Sequence, residues 1–478
     1  MSERVRHVHF VAIGGTGMGS LAGLLHARGL KVTGSDENLY PPMSDLLEGW
    51  GIPVHDTFRA EHVLQELPDL VVIGNAVRPD NPEACAAIGE GLAHRSFPDA
   101  LYQLAMEGKH SVVVAGTHGK TTTTSLIGAL LQGTERDPSL LVAGHSLDLG
   151  GSFREGQGAH FVVEGDEYDT AFFDKTPKFL HYGARTLIIT SVEFDHADIY
   201  RDLDHVKEAF RACVAGLPAD GTVVAALDHL NVEDVLRDAP CRVIGYSAAQ
   251  ESRAEWCAQS MVAEESGTSF DVLRAGVVEG RARVPLFGRI NVENALCALA
   301  TVVSLGVPLS EAIEVLGHFR GVKRRQEIRG EQRGVTVVDD FAHHPTAVRG
   351  SIEALRSRFP GRRLVALFEP RTNTSRRVVF QRDYAESFDG ADWVVVSAVP
   401  EGPIYSATGE VTEFFSAEQL ARDLQSRGVD AVAIDGVEAI VARLAARCES
   451  GDVVLVMSNG AFGNIWQHLL EALREDPD

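Results

Sequence analysis

Short apolar runs recur along the chain at residues 8–13, 70–74, 111–115, 161–164, 186–190, 222–226, 335–338, 363–368, 393–397 and 453–457. Each is strand-length, rich in Val, Ile and Leu, and bounded by Gly, Pro or Asp. Continuous apolar runs of this length read as strands buried on both faces of a parallel sheet. Helical spacing of apolar residues fills the stretches between them. Strands alternating with helices make βαβ units, so the pattern predicts an α/β fold with mostly parallel sheets. Two segments interrupt the rhythm. "MEGKH", residues 106–110, precedes a fresh strand, and "HFRGVKRRQEIRG", residues 318–330, is basic and glycine-flanked. They divide the chain into expected domains at 1–108, 109–320 and 321–478. There is no internal repeat or low-complexity tract.

Two of the strands feed glycine-rich loops. In "VAIGGTGMGSLAGLLHARGLKVTGSDE", Gly17, Gly19 and Ala22 match the G-x-G-x-x-G/A spacing, and Asp36 lies 19 residues beyond Gly17. That is a dinucleotide-binding fingerprint with an acid placed for a ribose hydroxyl. Alone it would suit a nicotinamide-dependent dehydrogenase. In "SVVVAGTHGKTTTTSLIGAL", Gly116, Gly119, Lys120 and Thr121 form a shortened phosphate loop, with Val114 where the full pattern would have glycine. Amides at a helix N-terminus still point at anionic oxygens, Lys120 reaches the β/γ-phosphates, and the Thr121 hydroxyl suits Mg²⁺. A dehydrogenase needs no such second loop. Phosphoryl chemistry is expected, with the first domain holding a nucleotide-bearing substrate.

Composition narrows the partners. Lys plus Arg number 44 against 67 Asp plus Glu, a net charge of −23. So acidic a chain repels phosphate backbones, which argues against nucleic acid. Six cysteines without a C-x-x-C pair fit reduced thiols in a cytoplasm. The N-terminal apolar run stops at Gly14, unlike a signal peptide, and no apolar run of about 18 residues suggests a membrane span.

Acids cluster after two later strands. Glu164, Asp166, Glu167 and Asp169 follow one, and Glu193, Asp195, His196 and Asp198 follow the next. Ligands of open α/β sheets sit beyond the carboxyl ends of strands, so both clusters belong near the phosphate loop. Glu164, at the strand end itself, reads as functional. Asp166, Glu167, Asp169 and Asp198 read as helix caps or solvated loop charges. A histidine is an unusual ligand for hard Mg²⁺.

"GTHGKTTT", "EGDEYD", "EFDHAD", "RINVENALCA" and "DDFAHHPTA" together resemble the ATP-dependent Mur ligases of peptidoglycan synthesis, and the resemblance spans the whole chain. It implies a Rossmann-like N-terminal domain, a central P-loop ATPase domain and a C-terminal Rossmann-like α/β domain. "NLYPPMSDLLE", "GNAVRPDNPE", "DEYDTAFFDKTPKFLHY", "EFDHADIY", "FEPRTNT" and "VMSNGAFG" resemble the members that join UDP-N-acetylmuramate to L-Ala-γ-D-Glu-meso-diaminopimelate in peptidoglycan recycling. The L-alanine-adding members are the alternative. The implied cofactors are ATP and Mg²⁺; no obligate protein partner is implied.

By the same resemblance, Gly15, Thr16, Gly17, Met18, Ser35 and Asp36 hold the UDP part of the sugar nucleotide. Asn75 lies against the pyrophosphate, and His118 faces the muramyl carboxylate. Gly116, Thr117, Gly119, Lys120, Thr121 and Thr122 hold the ATP phosphates, Asn291 and Asn294 the adenine, and Asp340 the ribose. Arg325, with Arg324 as the alternative, binds phosphate across the domain boundary, and His343 sits near the transferred phosphoryl group. Lys120, Arg325 and His343 are thus the expected catalytic groups, and Thr121, Glu164 and His196 the Mg²⁺ ligands. On the residues alone, Asn291 and Asn294 are polar positions opening an apolar helix, and "AHHP" is a strand-end turn. Arg371 and Asn459 follow buried strands in the C-terminal part and are expected to meet the peptide, though each also reads as a surface arginine or a glycine-rich turn. Charge gathered between domains implies closure, with Gly321 at the hinge.

Overall fold

The computed structural model describes residues 5–249, 254–399, 402 and 404–474. All ten apolar runs are strands of three sheets. Their side chains are almost wholly buried because helices cover both sheet faces.

The first sheet has five parallel strands in the order Val54–His55, Lys31–Ser35, His7–Val11, Leu70–Ile73, His94–Ser96. Chain order reverses direction between His7–Val11 and Leu70–Ile73, which opens a crevice at their carboxyl ends. The run predicted to reach residue 13 ends at Val11, because Ala12 turns the chain with φ +64°.

The second sheet has ten strands. Its centre is parallel, with Thr186–Ile189, His110–Ala115 and His160–Glu164 side by side. The helices Lys120–Gly133 and Arg289–Ser304 pack together on one face. The strands Trp256–Glu264, Gly267–Arg274 and Val277–Val284 extend one edge as an antiparallel arm. That arm has no continuous apolar run, because much of it faces solvent. The third sheet has six strands, parallel except for Glu327–Gln332.

The segment between the second and third sheets does not hang free. Val322 bridges Ser146, Leu147 N–H donates to Gly321 O (3.0 Å), and Lys323 N–H donates to His145 O (3.0 Å). Gly321 takes φ +99°. The first sheet's helices Thr16–Ala27 and Met43–Trp50 meet the second sheet through Ser20 Oγ and Ser152 Oγ (2.7 Å), the ion pair of the capping Arg28 with Glu155 (2.9 Å) and Trp50 edge-on to Phe153. Gly23 lies inside that contact: a Cβ there would come within 2.6 Å of Phe153 and 2.7 Å of Trp50. Gly23→Val should therefore cost about 1–3 kcal/mol by overpacking. Thermal unfolding should begin at lower temperature, and proteolysis near residues 106–110 should speed up.

Candidate active site

The three adjacent central strands place their following loops together. Residues 116–119 lead into the helix Lys120–Gly133, whose first backbone bond runs from Thr123 N–H to Gly119 O (2.9 Å). The amides of residues 120–122 precede it and are the ones available to an anion. Gly119 has φ +78°, and a Cβ there would lie 2.5 Å from Asn294 Oδ1. Only glycine meets both demands. Thr117 and His118 are tied to the next strand's loop, through Thr117 N–H to Ser191 O (3.0 Å) and His118 N–H to Ser191 Oγ (2.9 Å). Thr122 is buried in the first turn of the helix.

Lys120 folds over this loop. Its ammonium donates to Gly116 O (2.6 Å) and Thr117 O (3.2 Å) and pairs with Glu167 (2.8 Å). Burial would lower its pKa, but Glu167, Asp166 and Glu164 more than offset this and hold it above the usual lysine value. Thr121 Oγ donates to Glu164 Oε1 (2.9 Å), and Ala143 N–H donates to Glu164 Oε2 (3.0 Å). Burial dominates at Glu164 and raises its pKa. Arg325 reaches across from the third sheet's side and donates to Thr121 Oγ (3.3 Å). Arg324 turns the other way, onto Ser458 O (2.7 Å) and Gly460 O (2.6 Å).

Glu167 is 3% exposed, so it is not the solvated loop charge the sequence suggested. It lies between Lys120 and His196, whose Nε2 is 3.2 Å from Glu167 Oε1. Asp166 pairs with Lys178 (2.9 Å) and falls to about 2 despite burial. Asp169 does match the surface reading, paired with exposed Lys175 (2.6 Å). Asp198 is buried and accepts from Asn373 Nδ2 (3.1 Å) of the third sheet's domain. The sequence signal for Glu167 was its spacing, three residues after Glu164, which puts both in reach of Lys120.

The donor set fits a divalent ion in part. A hydroxyl and a carboxylate converge at the helix N-terminus, and hard oxygens suit Mg²⁺. His196 differs. Burial opposes its protonation, but Asp195 and Glu167 raise its pKa to about 9, so it joins a metal only by releasing a proton.

At the border of the second and third sheets, Glu193 accepts from Thr346 Oγ (2.6 Å) and lies 3.3 Å from His118 Nε2. Burial would raise Glu193, yet His118, Thr346 and His344 bring it down to about 2. His344, buried, falls to about 4 and sits 3.1 Å from Phe194 O. His343 is held low by burial, with Nε2 at 3.9 Å from Asp195. Beside Asn294 a cavity of about 240 Å³ is lined by His118, Tyr246, Arg289, Arg349 and Glu353. Asn291 is not in its lining: its Nδ2 donates to Phe287 O (2.8 Å). Asp340 spends both oxygens internally, on Gln326 N–H (2.8 Å), Ala342 N–H (2.8 Å) and Ser351 Oγ (3.0 Å).

The glycine turn of the first sheet lies apart from this centre. Gly15 and Thr16 are exposed, Gly17 partly so, and Met18 is buried. Asp36 Oδ2 accepts from Gly14 N–H (2.8 Å) and Oδ1 from Asn38 N–H (2.9 Å), so the acid closes the turn. Ser35 points inward and donates to Glu83, a wholly buried carboxylate also 2.6 Å from His62 Nδ1. Asn75 is exposed in the turn after Leu70–Ile73. In the third sheet, Arg371 packs against Gly460, where a Cβ would fall well inside its guanidinium. Asn459 Oδ1 is buried there and accepts no hydrogen bond from the described residues.

Two outcomes follow. Gly119→Ala brings about 1–2 kcal/mol of left-handed strain plus the Asn294 clash, and the loop must open to relieve them. Calorimetric titration should show ATP affinity reduced roughly tenfold or more. Glu193 titrates at about 2 folded against 4.5 unfolded, so its stabilisation is complete above pH 4.5 and is lost as pH falls toward 2. The stability gap between the native protein and Glu193→Gln should shrink as pH falls through that window.

The chain matches the Mur ligase family, catalytic domain over residues 7–109, the Mur ligase middle domain over 114–302, and the Mur ligase, glutamate ligase domain over 324–460. It is 37% identical, over 98% of both chains, to the UDP-N-acetylmuramate–L-alanyl-γ-D-glutamyl-meso-2,6-diaminoheptandioate ligase of Escherichia coli strain K12. It superposes with TM-score 0.74 at 32% identity on a murein peptide ligase from Psychrobacter arcticus, covering 99% of this chain and 100% of that one. The UDP-N-acetylmuramate–alanine ligase of Thermotoga maritima gives TM-score 0.78 at 25% identity, covering 97% and 98%. With a phosphate loop, buried strand-end acids and an arginine from the third sheet's side already converging, these matches establish that the chain belongs to the Mur ligase family.

Proposed function

We propose that this chain joins the lactyl carboxylate of UDP-N-acetylmuramate to the free amine of L-Ala-γ-D-Glu-meso-diaminopimelate, cleaving ATP to ADP and phosphate. The observation that carries the ligase reading is Lys120 and Thr121 meeting Glu164, Glu167 and Arg325 at one helix N-terminus. The tripeptide is favoured by likeness to the Escherichia coli relative named for it. L-alanine remains the second reading, because the Thermotoga maritima alanine ligase superposes as well. The proposed setting is the cytoplasm, in peptidoglycan recycling. The proposed domains are 1–108 for the sugar nucleotide, 109–320 for ATP and 321–478 for the peptide.

A carboxylate is a poor electrophile toward an amine in neutral water. In the proposed route the carboxylate oxygen attacks the γ-phosphorus, ADP leaves, and an acyl phosphate forms. The peptide amine adds to the acyl carbon, loses a proton, and phosphate departs as the amide forms. Positioning and charge neutralisation are the protein's share. The 120–122 amides, Gly116, Thr117, Gly119, Lys120 and Arg325 hold the phosphates. Mg²⁺ held by Thr121, Glu164 and His196 would supply further neutralisation of phosphate charge. Asn294 and the cavity beside it suit adenine, with Asn291 behind it and Asp340 toward the ribose. His118 faces the muramyl carboxylate and His343 the transferred group. The turn of Gly15, Thr16, Gly17 and Met18, with Ser35, Asp36 and Asn75, takes the UDP part. Arg371 and the unsatisfied Asn459 Oδ1 suit the peptide's carboxylates and amine respectively.

Phosphate release from ATP, Mg²⁺ and UDP-N-acetylmuramate tests the reading. Turnover is expected with the tripeptide and not with L-alanine. Turnover with L-alanine alone would establish the second reading, and release with neither would refute ligase activity.

A further inference from the structure

The loop that carries His196 is held by the C-terminal domain. Ala197 immediately follows the histidine, and both of its backbone polar groups are held. Its N–H donates to Thr374 Oγ (3.0 Å), and its carbonyl accepts from Arg377 NH1 (2.7 Å) and Thr408 Oγ (3.2 Å). One residue on, Asp198 accepts from Asn373 Nδ2 (3.1 Å), and its carbonyl accepts from Ala407 N–H (2.7 Å). All five donors and acceptors belong to the third sheet's domain.

Two features mark this as more than domain packing. His196 has φ +51°, in the left-handed region, which is uncommon for residues with a side chain and costs about 1–2 kcal/mol. Arg377 is 8% exposed, and its hydrogen bonds go to the carbonyls of Ala197 and Tyr405, with the nearby Asp198 carboxylate offsetting its burial only in part. Burying a guanidinium against carbonyls is costly.

We infer that Thr374 and Arg377 are positioning residues for His196, so that the domain expected to read the peptide also completes the metal site. The inference rests on the proposed metal role of His196. Thr374 and Arg377 share one turn with Arg371. Ser375 N–H donates to Thr372 Oγ (2.8 Å), Arg376 N–H to Thr372 O (3.1 Å) and Arg377 N–H to Thr374 O (3.0 Å). The segment after Arg371 is thus tied internally. One end touches Gly460 beside Asn459, and the other grips Ala197. The phosphoryl step, in which the peptide takes no part, thereby depends on the peptide domain being seated.

The test is Mn²⁺ binding followed by electron paramagnetic resonance, alongside the Mg²⁺ dependence of turnover, in full-length protein. Thr374→Val removes the acceptor of the Ala197 N–H, and Arg377→Met removes the donor to its carbonyl. Each should weaken Mn²⁺ roughly tenfold, the range for groups that orient a ligand from behind. The Mg²⁺ needed for half-maximal rate should rise in parallel, with most of kcat recovered at saturating Mg²⁺. Thr374→Ser keeps the acceptor and should bind Mn²⁺ like the native protein. A merely structural defect would not be rescued by Mg²⁺. His196→Ala is the reference. If it weakens Mn²⁺ while Thr374→Val and Arg377→Met do not, the positioning role is wrong and the metal reading stands. If His196→Ala leaves Mn²⁺ unchanged, the metal reading and this inference both fail.

Discussion

The ammonium of Lys120 lies 2.8 Å from a carboxylate that is itself almost wholly buried, and within electrostatic reach of two more. Its side chain is 13% exposed. A buried charge is tolerable only when paired, so the pairing ties together the parts that bring it about. Lys120 opens the helix after one central strand. Glu164 and Glu167 follow the strand beside it, and His196 follows the strand on the other side. Parallel strands with consecutive carboxyl ends are the arrangement that delivers three such loops to one point. The acidic composition and the local cations belong together: in a chain of net charge −23, Lys120 and Arg325 both reach Thr121 and its neighbours in one cleft, as the proposed binding of a polyphosphate requires.

The two domain borders do different work. The border between the first and second sheets is a packed one, with Trp50, Phe153 and Gly23 in close contact and an ion pair at its edge. The border between the second and third is richer in loop hydrogen bonds, Glu193 with Thr346, His344 with Phe194 and Ala197 with Thr374 and Arg377, beside apolar contacts of Phe194 with the third sheet's core and of Gly288 with Ala354. Polar loop contacts open more readily than packed aromatics. This is where closure on substrates would act, beside the segment zipped to Ser146.

Much of this was legible in the sequence because buried parallel strands leave a signature needing no context. Residues 111–115 and 453–457 could hardly be anything else. The antiparallel arm from Trp256 to Val284 left no such mark, since its outward face is polar. The phosphate loop was legible through Gly119, whose backbone admits no other residue. Glu167 and Asp198 read as helix caps or solvated loop charges but are buried, because a short polar stretch looks the same whether it meets water, as expected, or buried partners: Lys120 and His196 for Glu167, Asn373 of the third sheet's domain for Asp198. Ser35 and Asp340 carry a related lesson. The family resemblance gave both a ligand contact, yet their side chains are engaged by Glu83, and by backbone amides and Ser351, respectively. Position along a strand predicts where a residue sits but not which of its partners claims it.

The claim on which the account rests is that the carboxylate is activated by phosphorylation at this cleft before the amide forms. The most direct measurement uses UDP-N-acetylmuramate labelled with oxygen-18 in both lactyl carboxylate oxygens, turned over with ATP and peptide. Mass spectrometry of the released phosphate then reports the fate of the carboxylate oxygens. The account predicts one labelled oxygen in each phosphate for every amide made, because the bridging oxygen of the acyl phosphate leaves with it. Amide formation with unlabelled phosphate would contradict it.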